Sequence, residues 1–151
     1  MSSLLSSMDS DVLRSFSTYA TIVVLKMMFM SQLTSFFRLT KGVFANVEDA
    51  RFVGDKKLVR TDLMVERVRR CHLNDLENIV PFVVIGLFYS LTQPALPTAL
   101  LHFRLFVGSR FCHSVSYVGA LPQPSRGLSY IVGVLATASM AYRTLSTVLL
   151  L

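Results

Sequence analysis

The chain has 151 residues, of which 52% are apolar and only 16% are charged, with a mean hydropathy of +0.54 and a formal net charge of +6. Soluble domains usually contain about 45 to 50% apolar and about 25% charged residues. This composition excludes a disordered or collagen-like chain, and the absence of a heptad pattern excludes a coiled coil. A membrane protein or an unusually apolar helical bundle remains.

Four apolar runs have the length of a membrane-spanning helix, which requires about 20 mostly apolar residues. The four runs cover residues 12–37, 65–91, 95–118 and 128–151. Prolines mark the turn between the second and third runs and the turn before the fourth, where a helix should stop or begin. Since short turns make neighbouring helices antiparallel, we predict an all-α fold, with one domain over residues 1–151 forming an integral membrane up-down four-helix bundle.

The distribution of basic residues predicts the orientation of this bundle. Nine of the fifteen Lys and Arg residues fall between Arg38 and Arg70, and the loop 38–64 contains Lys41, Arg51, Lys56, Lys57 and Arg60. The turn 92–97 contains no basic residue, so the positive-inside rule places the first loop in the cytosol and both termini in the lumen. A soluble bundle is the alternative, but residues 128–142 offer no charged face to water.

Some charged and polar residues inside these runs recur at helical spacing. In the second run, Arg70, Asn74 and Glu77 are four and three residues apart, so they share one helix face. We call such a row of polar residues on one helix face a stripe. The alternative interpretation of this stripe is a charged surface that simply faces water. A Lys or Arg within a membrane span, such as Lys26 in the first run, is costly unless it faces a protein interior or a wet cavity.

The third run repeats this pattern with Arg110, His113 and Tyr117, again at spacings of three and four. Arg38 ends the first run, while Arg126 and Tyr130 begin the fourth. The predicted topology therefore brings arginines from all four helices to the cytosolic end of the bundle. His102 lies further down the third run, and we expect it to be a structural histidine near the lumenal end.

Several arginines with one carboxylate, one amide and two phenols suit a small ligand that carries at least two carboxylates and one ammonium group. Arginine binds carboxylates in a bidentate manner, and the carboxylate of Glu77 would pair with the ammonium. The sequence shows no metal-spaced His and Cys cluster, no nucleophilic triad and no glycine-rich phosphate loop. Cys71 and Cys112 are too few for a disulfide framework or a metal site. We therefore predict no metal. The basic segment 48–62 also contains acidic residues, as a solvated loop does, so we predict no nucleic-acid partner either.

Four segments carry a resemblance to a known family: RLTKGVFANVEDA from Arg38, RTDLMVERVRRCHLNDLENIVPF from Arg60, LHFRLFVGSR from Leu101 and ALPQPSRGLSY from Ala120. They resemble the MAPEG family of membrane-associated proteins in eicosanoid and glutathione metabolism. The block ERVRRCHLNDLENI is highly specific for this family. The segments HFRLFVG, LPQP and SMAYR are most similar to its glutathione transferase branch.

The resemblance implies a homotrimer in the endoplasmic reticulum membrane, with the mitochondrial outer membrane as a further location. It implies glutathione as co-substrate, bound between subunits on the cytosolic side, and hydrophobic electrophiles and lipid hydroperoxides as second substrates. By position, the glutathione contacts of the family fall on Arg38, Arg69, Arg70, His72, Asn74, Glu77, Arg110, His113, Tyr117 and Tyr130. Arg69 and His72 come from the resemblance alone. The residue that would stabilise the thiolate falls on Arg126.

Two alternatives stay open beside conjugation of glutathione to electrophiles. The prostaglandin E synthase branch of the family uses glutathione to isomerise an endoperoxide, and there a serine tends to follow the position of Arg126, where this chain has Gly127. The transferase branch often has a cysteine directly after the Glu-Asp pair, where this chain has Ala50, so activation through that thiol is not expected. The other alternative is a noncatalytic protein that binds other membrane proteins.

Overall fold

A computed structural model of the chain describes residues 10–53 and 58–149. Lys56 and Lys57 of the predicted basic loop, and the two chain ends, lie outside the described residues. The described part contains four long helices, α1 (Asp11–Lys41), α3 (Leu63–Leu91), α4 (Leu96–Val118) and α5 (Ser125–Val148), and one short helix, α2 (Val47–Phe52). The prediction of a helical chain is confirmed for this part, whose strand-like pairing is limited to one isolated bridge between Phe44 and Val59.

Three of the long helices, α1, α3 and α5, are long and apolar enough to cross a membrane. The remaining long helix, α4, is not among them, and it carries Arg104 and Arg110 together with two histidines. Many large apolar side chains point away from the protein: Leu25 is 57% exposed, Phe29 62% and Leu135 62%. Such surfaces suit lipid or a partner chain better than water.

The helices pack around an aromatic core. The rings of Phe82 and Phe106 are stacked with centroids 3.8 Å apart, and Phe16 and Phe103 pack beside them. Helices α3 and α4 each contact all of the other long helices. A Cβ atom on Gly86 of α3 would lie 2.5 Å from the Phe16 ring of α1, so any larger residue at this position would force that ring to move.

The two ends of the first loop are joined to each other where α1 stops and α3 starts. Gly42 ends α1 in the left-handed region with φ of 58°, and its N–H donates to the carbonyl of Arg38 or Leu39. Asp62 is the N-cap of α3, and its Oδ1 accepts from the backbone N–H of Met64 at 2.8 Å and of Val65 at 3.1 Å. Lys41 donates to the same carboxylate at 2.9 Å. The position of the start of α3 therefore depends on the end of α1.

This junction predicts a loss of stability in acid. The hydrogen bond from Lys41, followed by those from Val65 and Met64, lowers the pKa of Asp62 below its usual value. A lowered pKa stabilises the folded state above the unfolded pKa of about 3.9, and this contribution is lost as the pH falls through the folded pKa. We expect Asp62→Asn to lower the thermal unfolding midpoint at pH 7, with a smaller difference from wild type below about pH 4. An equal difference at both pH values would contradict this role.

Candidate functional site

The arginines singled out from the sequence lie toward one end of the bundle. Arg38 is in the last turn of α1, Arg70 in the second turn of α3 and Arg126 in the first turn of α5. Arg110 lies deeper, in the second half of α4. Because consecutive long helices run antiparallel, the end of α1, the start of α3, the end of α4 and the start of α5 meet on one side.

Arg38 borders a cavity between the end of α1 and the short helix α2. This cavity has a volume of about 560 Å³, and Phe44, Glu48 and Asp49 also line it. Loop residues line this cavity because Gly42 reverses the chain direction after α1. The loop is held there by the Phe44 N–H, which donates to the carbonyl of Leu58 at 2.9 Å. Arg38 is only half-buried, so its guanidinium remains available to an anionic ligand.

The stripe on α3 faces outward at both of its ends. Arg70 and Glu77 are exposed and Asn74 is half-buried. Arg69 is also exposed, and its Nη2 donates to Glu66 at 2.9 Å on the same helix. His72 is half-buried, and its Nδ1 is buried without a hydrogen-bond partner among the described residues.

A fully buried group of charges lies behind this stripe. The Nζ of Lys26 on α1 is 2.5 Å from Oδ2 of Asp75 on α3. The Nε of Arg110 on α4 is 3.9 Å from Oδ1 of the same carboxylate, and both side chains are 0% exposed. Arg110 also donates from Nη2 to Oδ1 of Asn74 at 3.2 Å. The structure thus places Arg110 behind Asn74, away from the protein surface.

The sequence reasoning did not single out Asp75, although a signal was present. Asp75 follows the spacing of the buried face of α3, on which Val68, Cys71 and Ile79 are each 0% exposed. An acid on the apolar face of one predicted span, and Lys26 near the middle of another, indicate a buried ion pair. The sequence shows Lys26 as a charge inside its span, but it does not by itself identify the partner.

The stripe on α4 meets the start of α5. His113 is 3% exposed, and its ring lies 5.5 Å from the ring of Tyr117. The guanidinium carbon of Arg126 lies 5.0 Å from the centroid of the Tyr117 ring, at cation–π distance. Within the described chain, Nδ1 of His113 and Nε of Arg126 are buried and have no hydrogen-bond partner. The hydrogen-bonding capacity of both atoms is therefore unused within the described residues.

Glu77 and Tyr130 face one groove between α3 and α5. The groove has a volume of about 320 Å³ and is lined as well by Asn78, Pro81 and the small residues of α5. Tyr130 is 41% exposed. A carboxylate and a phenol are therefore present in an opening on the side of the bundle, next to the buried charges.

The other polar groups noted in the sequence have structural partners. His102 is 7% exposed; its Nδ1 lies 2.7 Å from the Thr98 carbonyl oxygen and its Nε2 2.9 Å from Ser139 Oγ. Cys71 is buried beside Ser114, whereas Cys112 is exposed, and both are free thiols. The described residues contain no cluster of three or more His, Cys, Asp or Glu that could hold a metal ion.

The sequence matches a known family over most of its length. A family profile described as the MAPEG family covers residues 16–146. The chain is 58% identical over 149 residues to microsomal glutathione S-transferase 1 of Mus musculus, with 96% of each chain covered. It is 57% identical over 148 residues to the Homo sapiens protein of the same name, with 95% of this chain and 96% of the relative covered. Prostaglandin E synthase of Homo sapiens is 40% identical over 138 residues, with 91% of each chain covered.

Proposed function

Because this chain belongs to the MAPEG family, we propose that it is a membrane-bound glutathione transferase, which joins the thiol of glutathione to hydrophobic electrophiles. The observation that carries this proposal is the near full-length identity of 55 to 58% with relatives named microsomal glutathione S-transferase 1. The convergence of arginines at one end of the bundle supports it from chemistry, since glutathione carries two carboxylates, one ammonium group and a thiol. Glutathione is the co-substrate.

We propose that the two stripes and the ends of α1 and α5 bind glutathione. The exposed Arg70 and the half-buried Arg38 would bind its carboxylates, and Glu77 would pair with its ammonium group. The full proposed set is Arg38, Arg69, Arg70, His72, Asn74, Glu77, Arg110, His113, Tyr117 and Tyr130; the buried Arg110 would act through Asn74, to which it is hydrogen-bonded. Arg126 is proposed as the residue that stabilises the thiolate, because its stacking on Tyr117 fixes a guanidinium beside the other contacts.

We propose that all four long helices cross the membrane, with the first loop in the cytosol and both termini in the lumen. Helix α4 can cross despite its arginines because Arg110 is buried against Asp75, while Arg104 donates to the Tyr19 hydroxyl at 3.0 Å. The proposed assembly is a homotrimer of the endoplasmic reticulum, and also of the mitochondrial outer membrane, with glutathione between subunits. The open groove at Glu77 and Tyr130 is consistent with a site that a second subunit completes.

The experiment that tests this function is conjugation of glutathione to an aromatic halide by the purified protein in detergent, alongside native mass determination. Saturable conjugation with a trimer mass is the expected result. Reduction of a lipid hydroperoxide should accompany conjugation, because it uses the same thiolate. Failure to bind glutathione at all would favour the alternative of a noncatalytic protein that binds other membrane proteins.

Prostaglandin E synthesis is the second candidate function, since relatives with that name are 40 to 41% identical to the chain. Gly127 favours the transferase, because a mechanism that needs a hydroxyl after Arg126 lacks it here. A Cβ atom on Gly127 would have only Gln123 Oε1 within 4 Å, at 3.9 Å, so Gly127→Ser should fold normally. Product assays of wild type and Gly127→Ser with an aromatic halide and an endoperoxide would separate the two functions.

Replacing Glu77 should weaken glutathione binding more than it slows the chemical step. Glu77→Gln removes the charge that would pair with the ammonium group, and a hydrogen bond to a charged group contributes about 1.5 to 3 kcal/mol. We therefore expect KM for glutathione to rise about 10- to 100-fold with kcat little changed. Asp11→Asn is the matched control, because Asp11 is an exposed acid at the opposite end of the bundle. An unchanged KM for Glu77→Gln would remove Glu77 from the site.

A further inference from the structure

The buried charges of α1, α3 and α4 form a chain that ends at the proposed glutathione site. Its first contact joins Lys26 to Asp75, its second brings Arg110 to the same carboxylate, and its third joins Arg110 to Asn74. The first three residues are at most 9% exposed, whereas Asn74 is half-buried. Asn74 is therefore the member of this chain that a ligand can reach.

The chemistry of the last contact fixes the orientation of the Asn74 carboxamide. A guanidinium has only donors, so Arg110 can pair only with the oxygen of the amide and never with its nitrogen. The Oδ1 atom of Asn74 is thus occupied, and its Nδ2 donates to no other group in the described residues. Nδ2 is also not among the buried atoms without a partner. The free group of Asn74 is a donor on the side of α3 that also carries Arg70 and Glu77.

Arg110 needs a partner to hold this position. Its Nε and Nη1 have no hydrogen-bond partner within the described chain, and the carboxylate of Asp75 is the anion next to it. Lys26 in turn balances the charge of Asp75 and bonds to its other oxygen. Three helices therefore contribute to the placement of one guanidinium.

We propose that Asp75 and Lys26 are positioning residues: they hold Arg110 so that it occupies Oδ1 of Asn74 and leaves Nδ2 to donate to an acceptor oxygen of glutathione. This inference rests on the proposed function, since it assigns a role within the same site. It deepens that function by giving Asn74 a fixed donor role and by tying glutathione affinity to residues that do not touch glutathione.

The test uses two variants of the full-length protein in detergent, with glutathione as the probe. Asn74→Asp keeps an acceptor for Arg110 but replaces the free donor with an acceptor. The double variant Lys26→Met and Asp75→Leu replaces the ion pair with apolar side chains of similar size, so the net buried charge is unchanged and Arg110 loses its neighbour. For both variants, KM for glutathione should rise at least about tenfold with kcat within about twofold of wild type.

Val23→Ala is the control for a purely structural effect. Val23 is 0% exposed on α1, one turn before Lys26, and makes no contact with the chain of charges through hydrogen bonds. The Val23→Ala substitution should lower the thermal unfolding midpoint without changing KM for glutathione. An equal rise in KM for Val23→Ala would overturn the inference, because the effect would then follow stability.

A wild-type KM in the double variant would overturn the positioning role, and a wild-type KM in Asn74→Asp would overturn the donor role. Asn74→Asp retains the buried charges, so it decides the donor role of Asn74 even if the double variant does not fold. Isothermal titration of wild type with glutathione separates the two proposals. If wild type binds no glutathione, the proposed function fails as well, whereas normal binding in wild type and in both variants overturns only this inference.

Discussion

Replacing Arg126 with leucine is expected to reduce the rate of conjugation about 10- to 100-fold at pH 7 while glutathione binding is largely retained. A thiol with a pKa of about 8.5 is only a few per cent thiolate at neutral pH, and each unit by which a nearby cation lowers that pKa raises the thiolate up to tenfold. Leucine can still pack on the ring of Tyr117, so the start of α5 should stay in place. Stopped-flow ultraviolet absorbance of the thiolate measures the effect directly.

Two further variants make this result specific. Arg143→Leu removes an exposed arginine near the other end of α5 and should leave both the thiolate signal and kcat unchanged. Arg126→Lys keeps a positive charge but loses the planar stacking on Tyr117, so an intermediate activity is expected. In Arg126→Leu, kcat should also recover as the pH rises toward the pKa of free glutathione. A thiolate signal equal to that of wild type would assign its stabilisation to another residue.

Asp75→Asn alone should be the most destabilising single substitution of a charged residue considered for this chain. It leaves Lys26 and Arg110 buried with no carboxylate between them, and removing one partner of a buried ion pair typically costs about 3 to 5 kcal/mol. The double variant Lys26→Met and Asp75→Leu should recover only part of this loss, because it removes one of the two buried cations but leaves Arg110 without its carboxylate. The comparison uses the thermal unfolding midpoints of wild type, Asp75→Asn and the double variant in detergent, monitored by circular dichroism.

The control for this comparison is Asp62→Asn, which removes an exposed ion pair at the end of the same helix. Since exposed ion pairs contribute little, its effect should be far smaller than that of Asp75→Asn. Equal unfolding midpoints for Asp75→Asn and wild type would mean that Asp75 is not needed to balance the buried cations.

The long helices could be predicted because their signal is local. Apolar runs and flanking prolines indicated four long helices, and spacings of three and four indicated which polar residues share a face. Helix α1 nevertheless continues to Lys41, beyond the predicted end at residue 37, since a helix can extend past the apolar part of its sequence until a residue such as Gly42 ends it. The short helix α2 has only 6 residues, too few for a periodic pattern to be recognised.

The buried ion pair could not be predicted with the same certainty because it depends on packing. The sequence shows that Lys26 and Asp75 are charged, but only the rotation of α1 against α3 places them together. The same holds for Arg110, which shares a helix face with His113 and Tyr117 as predicted, but whose depth depends on how α4 contacts α3. The sequence spacing shows which residues share a face of one helix. Which residues of different helices lie close together depends on how the helices pack.

Pro81 in the middle of α3 has a consequence for how deeply water enters the membrane part of the protein. Proline has no backbone N–H, so the carbonyl of Glu77 cannot accept the usual bond from the residue four positions later. An unsatisfied carbonyl in hydrocarbon costs several kcal/mol, and this carbonyl belongs to a residue that lines the opening between α3 and α5. The opening gives water a route to this carbonyl. In the proposed function, glutathione would enter by the same route, and an electrophile dissolved in the lipid would meet it at this opening between α3 and α5.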